Sequence, residues 1–126
     1  MTLLERFTRG GQRGGLPSSG RTLDDQKTGV ARQGANVAIW ARNTEKSERA
    51  VRELEELGAS ALALACDVTS EQQVADALAA TLERFGRVDT CFANAGFGSA
   101  CDPLEMSLEE WRRVLAVNLD GVFVTL

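Results

Sequence analysis

The sequence predicts an α/β fold with a parallel β-sheet from residue 36 onward. Three short apolar runs, at 36–41, 60–66 and 88–93, have centres about 26 residues apart, and a helical pattern separates each run from the next. Neighbouring strands need such a crossover in order to run parallel. The runs are almost continuously apolar, which is typical of strands covered on both faces. We therefore expect a doubly wound sheet with helices on both sides.

Each predicted helix carries its own start or stop signal. The pattern at 44–58 has an apolar face and ends at Gly58, a residue type that commonly ends helices. The next helix begins at Ser70 and ends at Gly86, and a third begins at Ser107. Each serine is followed three residues later by Gln or Glu, the spacing of a capping box. The aromatic residues Trp40, Phe85 and Trp111 are expected to serve packing.

Residues 1–35 are predicted to be an irregular, glycine-rich segment in place of a first strand and helix, which leaves 36–126 as a partial domain. The stretch 8–34 contains seven glycines, one proline and no apolar run of four. An alternative is that "GGQRGG" cradles a phosphate with its backbone N–H groups, which requires a strand before it and a helix after it. Neither flank shows that pattern, so the loop is favoured.

The composition argues against several classes of function. A net charge of −4 is not that of a nucleic-acid-binding protein, and no apolar run approaches the ~20 residues that span a membrane. The N-terminus has no secretory signal pattern and the three cysteines have no CxxC spacing, so we expect reduced thiols and a cytoplasmic location. The chain contains no histidine, and we predict no metal site.

Four motifs occur in order along the chain: "NVAIWARN", "CDVTS", "FANAG" and "VNLDGVF". Their order and spacing resemble those of the short-chain dehydrogenase/reductase family, and the resemblance covers residues 34–126. It implies a Rossmann-type domain and an activity that moves hydride between NAD(H) or NADP(H) and an alcohol or carbonyl compound.

Arg42 directly follows the predicted strand at 36–41, at the place where a Rossmann domain contacts the adenosine ribose. An acidic residue there accepts hydrogen bonds from the 2′-OH of NAD, whereas an arginine accommodates the 2′-phosphate of NADP. Ala41 stands in the acidic position and Arg42 comes next. The resemblance thus implies NADP(H), with NAD as the alternative. The other interpretation of Arg42 is an exposed residue at a helix start.

Two further motifs imply cofactor contacts. The resemblance implies that Asp67 and Val68 hold the adenine of the cofactor. Asn94, Ala95 and Gly96 let the backbone approach the cofactor's ribose, and the asparagine also ties neighbouring strands together. The alternatives are an Asx turn at the aspartate and a plain turn at the end of the later strand.

The resemblance implies one catalytic residue, Asn118, which in the family helps to hold a water in a proton relay. Gly121, three residues later, is compatible with a local bend of the helix. The family's proton donor is a tyrosine, assisted by a lysine and a serine, which lie beyond the fourth helix. This chain contains no tyrosine, so we expect the family's general acid catalysis to be impossible for the chain as given.

The combined prediction is a truncated, cofactor-binding half of an NADP(H)-dependent oxidoreductase that interconverts a ketone and a secondary alcohol. Its partners would be a small-molecule substrate and, for a full-length family member, further copies in a homo-oligomer. Two alternatives stay open: a catalytically silent nucleotide-binding or interaction module, and a non-functional gene product.

The missing first strand has a physical consequence for this prediction. Strands at 37–41 and 88–93 would lose their shared neighbour, which leaves buried backbone groups unpaired. We therefore expect the chain to be unstable and to bind cofactor weakly. A compensated pair of frameshifts would explain the scrambled content of residues 8–33, and translation of the neighbouring reading frames tests that hypothesis.

Overall fold

A computed structural model of the chain describes residues 2–5, 23–102 and 104–126, with side chains from residue 27 onward. Its centre is a four-stranded sheet in the order β3-β2-β1-β4, and every strand pair is parallel. The strands are β1 (Thr2–Glu5), β2 (Val37–Ala41), β3 (Ala61–Ala65) and β4 (Thr90–Phe92). This is the order of the first four strands of a Rossmann fold, whose full order is 3-2-1-4-5-6, so the predicted fold class is confirmed.

The helices follow the strands in alternation, as the spacing of the apolar runs predicts. They are α1 (Leu23–Arg32), α2 (Thr44–Glu56), α3 (Glu71–Phe85), α4 (Leu108–Leu115), a π-helical turn (Ala116–Asp120) and α5 (Gly121–Thr125). None of the helices in the described ranges is long and apolar enough to cross a membrane.

The prediction that residues 1–35 are irregular is wrong for two segments, which form the first strand and the first helix. Thr2–Glu5 forms β1, and Leu3 lies opposite Ala38 on one side and Cys91 on the other. Four residues are too few to show a periodicity in the sequence, but a central strand has its backbone groups bonded to both neighbours. The expected instability rested on the absence of this strand, so that premise is wrong. Residues 6–22, with most of the glycine-rich stretch, lie outside the described residues.

Helix α1 is the second of these segments, because Leu23–Arg32 is helical even though its amphipathic pattern is weak. Ala31 is buried in the core and Val30 packs against it. Lys27 is buried, and its Nζ lies 3.4 Å from Oε2 of Glu53 on α2. Packing on the sheet therefore supplies what the local sequence of α1 lacks.

The core consists of two layers because successive side chains of β2 point to opposite faces of the sheet. Val37 and Ile39 pack with α1 and α2, whereas Ala38 and Trp40 pack with α3. Trp40 is 1% exposed, and its Nε1–H donates to Oγ1 of Thr81 at 3.0 Å. The near-continuous apolar character of the strand is thus explained by helices on both faces.

The helix ends agree with the local signals. The side chains of Ser70 and Ser107 accept hydrogen bonds from the backbone N–H groups of Gln73 and Glu110. Gly86 ends α3 with a φ of 79°, in the left-handed region that glycine adopts without strain.

The predicted packing role of Trp111 is not seen within the described residues, because its side chain is 49% exposed. It belongs to a face of α4 and α5 that is apolar but exposed. The other large residues of that face are Leu108, Leu119, Phe123 and Leu126. The helical periodicity is present as predicted, but no part of the chain that the structure describes covers this face.

Candidate functional site

A cleft of about 390 Å³ lies at the carboxyl ends of β2, β3 and β4. Ligands of open α/β sheets bind outside the carboxyl ends of the strands, and the volume lies within the usual range for small-molecule sites. Five of the residues predicted from the sequence line this cleft: Arg42, Asp67, Val68, Ala95 and Gly96. The sheet therefore brings three separate motifs to one place.

Arg42 stands between the end of β2 and the start of α2, where it is well placed for an anion. Its side chain is 61% exposed, and its Nη1 lies 4.0 Å from Oδ2 of Asp67. Asn43 caps α2 by accepting the N–H of Lys46 at 2.9 Å. The amino terminus of a helix carries partial positive charge and free N–H groups, so this end of the cleft favours a negatively charged ligand group.

Asp67 makes the Asx turn that was one of its two predicted roles. Its Oδ1 accepts from the backbone N–H of Thr69 at 3.0 Å and from the Thr69 hydroxyl at 2.7 Å. Partial burial raises the pKa of Asp67, but these hydrogen bonds and the charge of Arg42 outweigh it, so its pKa is lowered overall. Because the turn uses only Oδ1, Oδ2 keeps its capacity to accept a hydrogen bond in the cleft.

Val68 packs against Gly121, a residue for which the sequence suggests only a local bend of the helix. Val68 is buried in the wall of the cleft, and Gly121 on α5 packs directly against it. A Cβ atom at Gly121 would lie 2.7 Å from Cγ2 of Val68, which is closer than real contacts allow. Gly121 therefore supports the lining residue Val68, and no signal in the local sequence distinguishes it from a glycine that simply bends a helix.

The three motif residues Asn94, Ala95 and Gly96, in the loop that follows β4, do not have the same role. Ala95 and Gly96 line the cleft, whereas the Asn94 side chain is exposed and does not line it. Asn94 makes no side-chain hydrogen bond with any other described residue, so the predicted tie between strands is not made there.

Asn118 lies in the π-helical turn, next to the lining residue Val117. Its Oδ1 accepts from the N–H of Phe97 at 3.1 Å, and its Nδ2 donates to the carbonyls of Phe97 at 2.7 Å and Val114 at 3.0 Å. Both amide hydrogens are thus used within the protein. A water at this residue would be held through the remaining lone pair of Oδ1 or through the backbone carbonyl. Short π-helical turns occur often at functional sites.

Residues 27–126, which include the whole lining of the cleft, match the family of short chain dehydrogenases. The chain belongs to the short-chain dehydrogenase family. The predicted resemblance is thereby confirmed, and with it membership of an oxidoreductase family that uses NAD(P) cofactors.

Similar proteins in this family include both curated enzymes and solved structures. The 3beta-hydroxysteroid dehydrogenase 1 of Eggerthella lenta is 40% identical over 92 residues, which are 72% of this chain and 35% of that enzyme. The alcohol dehydrogenase of Thermococcus sibiricus, complexed with 5-hydroxy-NADP, has a TM-score of 0.74 and 31% identity, over 98% of this chain and 50% of that one. The 3-ketoacyl-(acyl-carrier-protein) reductase of Brucella melitensis, complexed with NADH, has a TM-score of 0.72 and 32% identity, over 81% and 42%.

Two facts about these short-chain dehydrogenases bear on the function. The chain spans about a third of the length of the curated relative and half or less of each solved structure. The two structures differ in the cofactor they hold, one an NADP derivative and the other NADH. The choice between NADP and NAD therefore depends on the residues of the cleft.

Proposed function

We propose that the cleft binds NADP(H), with Arg42 as the residue that selects it over NAD(H). The observation that supports this most directly is the exposed guanidinium of Arg42 beside the amino terminus of α2. A forked, permanently charged group matches a phosphate, and helix N–H groups add donors for the same anion. No acidic side chain stands at the end of β2 to accept the 2′-OH of NAD, since Ala41 occupies that position.

The rest of the lining fits the remainder of an adenine nucleotide. Oδ2 of Asp67 can accept a hydrogen bond from the exocyclic amine of adenine, and the buried Val68 can pack against the ring. Ala95 and Gly96 bring backbone close to the cleft without a large side chain, which suits the ribose of a dinucleotide. A nicotinamide cofactor bound in this way supplies or accepts a hydride.

The whole protein would then interconvert a ketone and a secondary alcohol in a small-molecule substrate, in the cytoplasm and as a homo-oligomer. The described chain contributes the cofactor-binding part of that activity. Asn118 is the proposed catalytic residue of this chain, and its role is to hold a water on the proton path through the second lone pair of Oδ1 or through its backbone carbonyl.

A calorimetric titration with NADP⁺ and NAD⁺ tests the cofactor assignment. Charge-assisted hydrogen bonds contribute about 1.5–3 kcal/mol, so NADP⁺ should bind about tenfold or more tightly than NAD⁺. Arg42→Ala should remove that preference while leaving NAD⁺ affinity nearly unchanged. Arg52→Ala is the matched control, because Arg52 is an exposed arginine on α2 that does not line the cleft. Equal affinity of the unaltered chain for the two nucleotides would contradict the proposal.

A second candidate is a module that binds the nucleotide without catalysing hydride transfer. It is favoured by one observation, which is that the sequence contains no tyrosine to act as the family's proton donor. The two candidates differ in one assay. With NADPH and a ketone, an enzyme consumes the reduced nicotinamide, whereas a silent module binds NADPH and leaves it reduced.

A further inference from the structure

A group of side chains next to the cleft joins the loop after β4 to helix α4, and the proposed function does not use all of it. We call this group the Phe97 cluster; its members are Phe97, Ser99, Glu110, Arg113 and Asn118. Three of the five residues lie on the α4 helix or its π-helical continuation, and two lie on the loop. The cluster therefore connects two elements that are distant in sequence.

Arg113 is held in one orientation by Glu110, one helical turn before it. Its Nε–H donates to Oε2 and its Nη2–H donates to Oε1 of Glu110, both at 2.9 Å. This forked pairing is the geometry in which a guanidinium is most firmly oriented. The Arg113 hydrogen bonds, and secondly one from the Ser99 hydroxyl, lower the pKa of Glu110, so the carboxylate stays charged at neutral pH.

The oriented guanidinium lies over the ring of Phe97, with 4.9 Å between the guanidinium carbon and the ring centroid. This is within the distance at which a cation is attracted to an aromatic face. A lone exposed arginine would sample many rotamers, but Arg113 has partners on both sides. Its position is set by the forked pairing with Glu110 and by the contact with the Phe97 ring.

The backbone of Phe97 is also the partner of the Asn118 amide, through one accepted and one donated hydrogen bond. The residue before Phe97 is Gly96 and the residue before Asn118 is Val117, and both line the cleft. A movement of Phe97 away from α4 would therefore break its two hydrogen bonds with the Asn118 amide, leave that amide held by the Val114 carbonyl alone, and change the gap between these two walls.

We infer that Arg113 is a positioning residue of this site: by holding the Phe97 ring against α4, it fixes the Asn118 amide and the wall formed by Gly96 and Val117. The statement about the walls rests on the proposed nucleotide function, whereas the statement about Asn118 does not. Arg113 itself is not one of the residues that line the cleft.

The first test is spectroscopic and needs no nucleotide. In a nitrogen–proton correlation spectrum, the side-chain amide pair of Asn118 is assigned by its loss in Asn118→Ala. Arg113→Ala should shift and broaden this pair, because the amide loses its fixed partner. Phe97→Leu should do the same by removing the ring, and Phe97→Tyr should restore the unaltered signal. Arg112→Ala is the matched control, an exposed arginine on the same helix with no side-chain partner among the described residues.

The second test separates positioning from a general loss of stability. Adenosine 2′,5′-bisphosphate is the adenosine end of NADP⁺ and would occupy the part of the proposed site at Arg42, Asp67 and Val68, whereas the rest of NADP⁺ would extend further along the wall formed by Gly96 and Val117. Arg113→Ala should weaken NADP⁺ binding about fivefold to tenfold and leave the bisphosphate within about twofold. A general loss of structure would weaken both ligands alike.

The outcomes distinguish this inference from the proposed function. An unchanged Asn118 amide signal in Arg113→Ala overturns the inference, even if the unaltered chain binds NADP⁺. Equal weakening of NADP⁺ and the bisphosphate also overturns it. If the unaltered chain binds neither ligand while the amide signal moves, the proposed function fails and the positioning of Asn118 by Arg113 stands.

Discussion

Arg42 and Asp67 face each other across the exposed end of the cleft, with 4.0 Å between Nη1 and Oδ2. The distance is too long for a hydrogen bond but short enough for attraction between the charges. The pair comes from two different strand ends, β2 and β3, and only their parallel pairing brings the charges together. The Asp67 carboxylate thus attracts Arg42 without accepting a hydrogen bond from it, so the guanidinium N–H groups of Arg42 stay available to a ligand.

Salt should weaken the preference for NADP⁺ more than it weakens nucleotide binding in general. Arg42 is largely exposed, and exposed charges are screened over about 10 Å at 0.1 M salt. The ratio of NAD⁺ to NADP⁺ dissociation constants should therefore fall as sodium chloride is raised, when both are measured by calorimetry. A ratio independent of salt would contradict an ionic contact between Arg42 and the 2′-phosphate.

Acid should remove the contribution of Asp67 to stability. Its pKa is lowered in the folded chain, so the stabilisation is present above the unfolded pKa of about 4 and is lost as the pH falls through the lower, folded value. In Asp67→Asn, the side-chain oxygen can still accept the two hydrogen bonds from Thr69, but the side chain does not titrate. The difference in free energy of unfolding between the unaltered chain and Asp67→Asn should be larger at about pH 7 than at about pH 3. The same difference at both pH values would refute this assignment.

Gly121→Ala should damage both stability and the cleft. The new methyl group would meet Cγ2 of Val68 at 2.7 Å, and overpacking of this kind costs about 1–3 kcal/mol. Because Val68 lines the cleft, nucleotide affinity should fall as well. Gly29→Ala is the control, since Gly29 is also helical but has open space around its Cβ position. That change should raise stability by up to about 1 kcal/mol. Urea unfolding measures both effects, and equal behaviour of the two variants would contradict the packing argument.

Thr81→Val should destabilise the core although it preserves the volume of the side chain. The buried Nε1–H of Trp40 would lose its acceptor, and an unsatisfied buried donor costs about 1–3 kcal/mol. Thr81→Ser keeps the hydroxyl and loses only a methyl group, so it should retain the hydrogen bond. The free energy of unfolding should fall more for Val than for Ser. The reverse order would show that the hydrogen bond is not what holds Trp40.

Much of the fold could be predicted because its signals are local. The apolar runs around β2, β3 and β4 and the caps at Ser70, Ser107 and Gly86 each depend on a few consecutive residues. The short strand β1 could not be predicted in this way. Its four residues are stabilised by backbone bonds to β2 and β4, which are distant in sequence, and the glycine-rich stretch behind it resembles a loop.

The sequence by itself determined the alternation of strands and helices, the family, and the set of residues around which a nucleotide site is proposed. Local periodicity and short motifs carry that information, since each depends on neighbours along the chain. The tertiary structure alone decided how those residues meet: Oδ2 of Asp67 near Arg42, Gly121 against Val68, and Asn118 bonded to the Phe97 backbone. These contacts join residues far apart in the sequence, so the geometry of the packed sheet and helices determines them.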